Sequence, residues 1–223
     1  MRTAISIAGL RRPVIAAATV LAAMAVGMGT ANAAVTPNTA PAGGPVTKGS
    51  GSAHLVASQS PQQRNYWCGP AALVSTLHEG AHGSYSQTWA AGVLGTTTDG
   101  TNDGNMLSAL NKYSQGFPYV YVALPDRPSA DQLATYKRDL QGDIGVGEGL
   151  VGNVVEVAGG PHLPGHPTNE TIYHYIAIDG YSGSGATTHY ADPASSVWSS
   201  VPKYSNISSS TMVILLGERG YFW

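Results

Sequence analysis

Cys68-Gly69-Pro70-Ala71-Ala72-Leu73-Val74-Ser75-Thr76-Leu77 is the first convincing helix of the chain, and it opens on the only cysteine among 223 residues. Proline suits the opening turn of a helix, where its missing N–H would have been unpaired in any case. The unpaired N–H groups at that end, together with the helix dipole, favour negative charge. A thiol placed there is therefore biased toward thiolate, the nucleophilic form. Gly69 beside it would let a substrate backbone come close.

A single cysteine rules out an intramolecular disulfide, so the residue serves as a packed hydrophobe or as a reactive group. A reactive thiol needs a base, and the chain has seven histidines. His54 lies at the domain edge, and His78 and His82 near the end of the first helix. His162 and His166 are four apart in Pro161-His162-Leu163-Pro164-Gly165-His166-Pro167, where the prolines and glycine forbid a helix, so a solvated loop is expected rather than a metal site. His174 is different, because it opens His174-Tyr175-Ile176-Ala177-Ile178-Asp179-Gly180-Tyr181, which reads as a central strand with His174, Ile176 and Ile178 on one face. Asp192, in Tyr190-Ala191-Asp192-Pro193, falls at the end of the next strand, where a hairpin brings it beside His174. A carboxylate on the second imidazole nitrogen fixes the tautomer and the ring orientation. Asp179 points to the opposite face by alternation and reads as a turn residue before Gly180. Gln62, in Gln59-Ser60-Pro61-Gln62-Gln63, is on composition just a polar residue, although a side-chain amide near the Cys68 N–H would suit a developing oxyanion.

Around the first helix, Ser86 caps a second reaching Leu94, and Asp103 to Tyr113 reads as a third with Met106, Leu107 and Leu110 on one stripe. Ser129 caps a fourth running to about Leu140. The later chain changes character. Tyr119–Ala123, Leu150–Val157, Tyr173–Tyr181, Thr188–Ala191 and Thr211–Leu216 are short runs rich in Val, Ile and Tyr, read as strands. Helices first and an antiparallel sheet afterwards make an α+β domain with an N-terminal helical part packed on a C-terminal antiparallel sheet. Asp99-Gly100-Thr101-Asn102-Asp103-Gly104 lacks the ligand set of a calcium loop and reads as a turn plus a helix cap. Tyr173, Tyr175, Tyr181 and Tyr190 flank the site and pack in strands or shape a groove.

Residues 1–33 place Arg2, Arg11 and Arg12 before an apolar run from Val14 to Met28 and then Ala31-Asn32-Ala33, the order of a secretory signal peptide cleaved after Ala33. The style suits a Gram-positive bacterium, and a twin-arginine route is conceivable through Arg11-Arg12. Residues 34–53, rich in Pro, Gly, Ala, Thr and Ser, read as a flexible linker, so the domain is expected at 54–223. The processed chain keeps 8 Lys and Arg against 13 Asp and Glu, a balance of −5, which leaves no electrostatic footprint for nucleic acid or for an anionic membrane.

Taken together, Gln62, five residues, Cys68-Gly69-Pro70-Ala71-Ala72-Leu73, and then His174 and Asp192-Pro193 about a hundred residues on resemble the bacteriocin-leader-processing (double-glycine) peptidases and their stand-alone secreted relatives, in the papain-like cysteine peptidase superfamily. The resemblance runs from roughly Gln59 to Pro193. It implies a papain-like fold with Cys68 as nucleophile, His174 as base and acid, Asp192 as orienter and Gln62, rather than Gln63, as oxyanion donor. It implies a peptide or protein substrate, with no metal or organic cofactor, and a monomer is expected. The chain departs from the transporter-linked members: it has no spanning segment after residue 33, no phosphate-cradling GxxxxGK[ST], and Trp67 where those members often carry an acid. Leader cleavage during export is therefore not implied. The alternatives are other thioester chemistry on the same scaffold (transglutaminase, acyltransferase or cell-wall amidase) and a non-catalytic secreted binding module.

Overall fold

The computed structural model describes residues 44–56 and 58–223. The expected signal peptide and the first part of the expected linker lie outside them. The elements run β1 (Val46–Gly49), β2 (Ser52–Leu55), α1 (Cys68–Glu79), α2 (Gln87–Leu94), α3 (Asp103–Tyr113), β3 (Tyr121–Ala123), α4 (Ala130–Val146), β4 (Leu150–Glu156), β5 (Ile172–Ser182), β6 (Thr187–Ala191), β7 (Tyr204–Ser208), α5 (Ser209–Leu215) and β8 (Gly220–Phe222).

One antiparallel sheet organises them in the order β1-β2-β5-β4-β8-β3, with β6 added to β5 and β7 to β6. The eleven-residue β5 is the hub. Its first part pairs with β4, from Glu156↔Ile172 to Leu150↔Ile178, its end pairs with β2, and β6 pairs from Ala177↔Ala191 to Ser182↔Thr187. Alternation along β4 and β5 sends side chains to two cores. Val151, Tyr175 and Phe222 pack with Leu73, Leu77, Met106 and Leu110 of α1 and α3, whereas Val154, Ile176 and Ile178 pack with Leu140, Ile144 and Met212 of α4 and α5. The expected architecture, early helices on an antiparallel sheet, is present, with α4 and α5 adding a layer to the opposite face.

Local chemistry explains most of the boundaries. Ser86 Oγ accepts from the Trp89 N–H, and Asn102 Oδ1 accepts from Gly104 N at 2.8 Å, so the expected turn plus cap is what 99–104 forms. Ser129 and Gln132 make a reciprocal capping box at the start of α4. This helix runs six residues past the expected Leu140, because Asp143 and Ile144 remain on its buried face and Gly147, at φ 97°, supplies the left-handed stop.

Three expectations are corrected. Residues 46–53 of the expected linker are not flexible: Val46↔Leu55 to Gly49↔Ser52 form a hairpin, and β2 docks on the end of β5 through Ala53↔Tyr181 and His54↔Gly180. Backbone pairing, with Ala53 and Leu55 seated in the core, holds a segment of few large apolar side chains. Thr211–Leu216 is not a strand. Ser208 Oγ accepts from Thr211 N at 3.1 Å and starts α5, whose Met212, Val213 and Leu215 face the core while Ile214 is exposed. Helical packing against α4 outweighs the β-branched composition. Asp179 is not a turn residue; it is buried within β5, beside a register shift between Ile178 and Gly180.

Candidate active site

Cys68 is the first residue of α1, preceded by Trp67, which offers no side-chain cap. The helix N–H groups are thus left for the thiol rather than satisfied by a capping oxygen. The Arg64 guanidinium lies 4.8 Å over the Trp67 ring and braces the approach to the helix. The role expected for Gly69 is corrected. Its bare Cα faces protein rather than open cleft: a Cβ there would come 2.3 Å from Thr101 Oγ1. Glycine lets the helix start dock against the turn before α3.

His174 is the third residue of β5, is buried, and lines the same cleft as Cys68. Burial alone would raise the thiol pKa, but the His174 hydrogen bond and charge, with the backbone N–H groups of Tyr175 and Gly69, hold it below its ordinary value. Burial alone would likewise neutralise the imidazole. The Asp192 carboxylate and the thiol outweigh that and push it up to about 10. Both shifts favour a thiolate facing an imidazolium. Asp192 follows β6 directly and caps the 3-10 turn Pro193–Ser196 through Ala194 N. The His174 Nε2 donates to Asp192 Oδ1 at 2.9 Å, which leaves Nδ1 as the ring nitrogen for the thiol. Despite burial, the two histidines hold the Asp192 carboxyl well below its usual range. Pairing of β5 with β6 brings residues 18 apart into contact, as the hairpin reading required.

A cleft of about 210 Å3 opens over this group, lined by Cys68, His174, Tyr175, Thr101, Tyr173 and Arg219 among others. Its two walls are tied together through Asp103 on α3, which accepts from Asn153 Nδ2 of β4 at 2.8 Å and from the Tyr175 hydroxyl of β5. Tyr173 is 59% exposed and carries the Arg219 guanidinium over its ring at 5.2 Å, so it forms a groove wall. Tyr181 and Tyr190 pack in the core instead.

Gln62 is buried just before α1. Its backbone N–H donates to Pro193 O at 2.9 Å, so it lies beside the Asp192 turn. Its amide nitrogen donates to Arg64 O at 2.9 Å, and its Oε1 is buried without a partner. One proton of that amide is engaged by Arg64 O, and Gln62 stands behind the cleft rather than among its lining residues.

His166 was missed. It is only 5% exposed rather than in a solvated loop, and its Nε2 donates to Asp192 Oδ2 at 3.0 Å. Its Nδ1 lies 2.8 Å from Glu156 Oε1, off the line of an ideal hydrogen bond. The loop Pro161–Pro167 carries no periodic signal, which is why the spacing said nothing. The available clue was Glu156, the one ionisable residue in the Val-rich run Leu150–Val157. His166, His174 and Asp192 also offer three donor atoms within 4.8 Å of one another. Each imidazole Nε2 faces its own carboxylate oxygen, so the set is matched internally as a hydrogen-bond relay rather than arranged as ligands around a common centre.

A thiol on a helix N-terminus, paired with an imidazole that a carboxylate orients, is the constellation of acyl transfer through a thioester. Residues 55–211 match the model of the Peptidase_C39 like family, and the chain belongs to that family. Similar solved structures include the peptidase domain of Streptococcus ComA, a bi-functional ABC transporter involved in a quorum-sensing pathway, at 20% identity and TM-score 0.48, with 76% of this chain and 96% of that one covered. Another is a double glycine motif protease from an AMS/PCAT transporter in complex with the leader peptide, at 15% identity and TM-score 0.46, covering 76% of this chain and 90% of that one. No curated protein sequence matches the chain.

Proposed function

We propose that this chain is a secreted cysteine peptidase that hydrolyses peptide or isopeptide bonds through Cys68, His174 and Asp192, with Gln62 as an oxyanion donor. The observation that carries the reading is the continuous contact from the Cys68 thiol through His174 to Asp192 at the mouth of a cleft. The Cys68 thiolate attacks the scissile carbonyl. The oxyanion that forms is held by the Cys68 N–H and the free amide proton of Gln62. As the C–N bond breaks, the His174 imidazolium gives its proton to the leaving amine, and the acyl group stays on sulfur as a thioester. His174 then takes a proton from water, which attacks the thioester and releases the acid and the thiolate. Asp192 keeps its charge throughout and holds the ring in place. The order of residues 1–33, basic then apolar then Ala31-Asn32-Ala33, supports export and with it an extracellular peptide or protein substrate.

The test is the pH dependence of iodoacetamide alkylation, alongside peptide hydrolysis. Alkylation with a midpoint well below the ~8.5 of a free thiol, lost in His174→Ala, is expected. Cys68→Ala should abolish hydrolysis of a peptide mixture and leave thermal unfolding nearly unchanged. An ordinary midpoint that ignores His174→Ala, or hydrolysis that survives Cys68→Ala, refutes the proposal.

A further inference from the structure

Asp192 has two oxygens, and the chemistry above uses only one. Oδ1 takes the His174 Nε2 proton and the Ala194 N–H, both at 2.9 Å. Oδ2 takes a single donor, His166 Nε2, at 3.0 Å. The torsion that turns a carboxylate about its own axis is soft and broad. A donor on the second oxygen therefore helps decide whether the first stays aimed at His174.

His166 is itself held from every side. Glu156, fully buried at the end of β4, approaches Nδ1 at 2.8 Å and accepts from Leu163 N at 2.9 Å through its other oxygen. The Trp198 ring packs on the imidazole, with ring centres 5.0 Å apart. The loop is clamped at Gly165, at φ 84°, where Ser200 Oγ donates to Gly165 O at 2.7 Å and a Cβ would come 2.1 Å from Ser200 O. Two carboxylates face the ring, and burial opposes charge on it. The carboxylates prevail, and the imidazole holds its proton above the ordinary histidine range. Five buried or half-buried groups then follow one another: Cys68, His174, Asp192, His166 and Glu156.

We propose that His166 is a positioning residue of this site: by donating to Asp192 Oδ2, and held in turn by Glu156, it keeps Oδ1 on His174 and so maintains the Cys68–His174 pair. The inference rests on the reading of Cys68, His174 and Asp192 given above. Glutamine places its amide nitrogen about where the imidazole Nε2 lies, so His166→Gln keeps the donor, whereas His166→Leu keeps bulk and removes it.

The experiment measures the alkylation midpoint of Cys68 in the full chain, in His166→Gln, in His166→Leu and in His174→Ala, together with 15N spectra of the histidine rings of the unaltered protein. The expected result is an Nε2-protonated His166, a midpoint in His166→Gln close to that of the parent, and a rise of about one pH unit in His166→Leu, or about tenfold less thiolate at acidic pH. A parent with a low midpoint that His166→Leu leaves unmoved overturns the role of His166 and spares the Cys68–His174 pair. An ordinary midpoint in the parent, indifferent to His174→Ala, fells that pair and this inference with it. Should His166→Leu not fold, the spectra decide: a bare Nε2 on His166 removes the donor and the proposal.

Discussion

Asp179→Asn should make the protein more stable near pH 8, and about half as much so near pH 5. Asp179 is buried in β5 with Oδ1 unpartnered among the described residues, and the buried Glu79 of α1 is the neighbouring acid, its Oε2 likewise unpartnered among them. Burial, the main cause, pushes the Asp179 carboxyl from 3.8 up to about 6, and burial with the Asp179 charge raises Glu79 further. A raised acid means that the native state binds more protons than the unfolded chain, so stability falls as pH climbs. For Asp179 the loss begins near 3.8 and is complete above about 6. A rise of about two pH units is roughly 3 kcal/mol. An asparagine carries no charge to strand and supplies N–H donors beside Glu79. The gain at pH 8 should therefore approach roughly 3 kcal/mol, or about 6–12 °C in Tm for a domain of this size. The assay is thermal unfolding by circular dichroism at pH 5 and pH 8, in the Cys68→Ala background to prevent self-cleavage. A variant destabilised equally at both values would mean that the Asp179 carboxylate has a stabilising partner, and the reasoning would be wrong. His174, raised to about 10, adds stability below about 6.5 that fades as pH rises toward 10, while Asp192, lowered, adds stability above about 4 that fades in acid. Both place the most stable pH on the acidic side of neutral.

Gly69→Ala should cost activity on the order of 10²-fold by displacing the start of α1, because the new Cβ lands on Thr101; Gly69→Ala with Thr101→Ala should recover part of it, and no recovery in peptide hydrolysis would mean that the close approach is not the cause. Gln62→Ala should lower kcat on the order of 10²–10³ with KM and the Cys68 alkylation midpoint unchanged; a shifted midpoint would show that Gln62 acts through the thiol instead, from its place beside Pro193.

Where a local signal was strong, the chain could be read directly. Pro70 in the first turn, Ser86 and Ser129 as caps and the stripe of Met106 and Leu110 place α1 to α4 by short-range rules. The hairpin of β5 and β6 brings His174 to Asp192 because both lie near one end of paired runs. Reading failed where a distant partner decides the local state. Ser209–Leu215 has the composition of a strand, and only its docking beside α4 makes it a helix. Val46–Leu55 has few large apolar side chains, and the edge offered by β5 orders it and seats Ala53 and Leu55 in the core.

The sequence by itself determined the helix that opens on Cys68, the strand that bears His174, the turn at Asp192 and the family to which they belong, because each is written in neighbouring residues or in their spacing. Only the tertiary structure decided that Gly69 faces Thr101, that Asp179 and Glu79 share a buried corner, and that His166 and Glu156 stand behind Asp192. Those are contacts between segments far apart along the chain. A side chain's charge and burial there depend on which segments fold against it, and no local pattern records that.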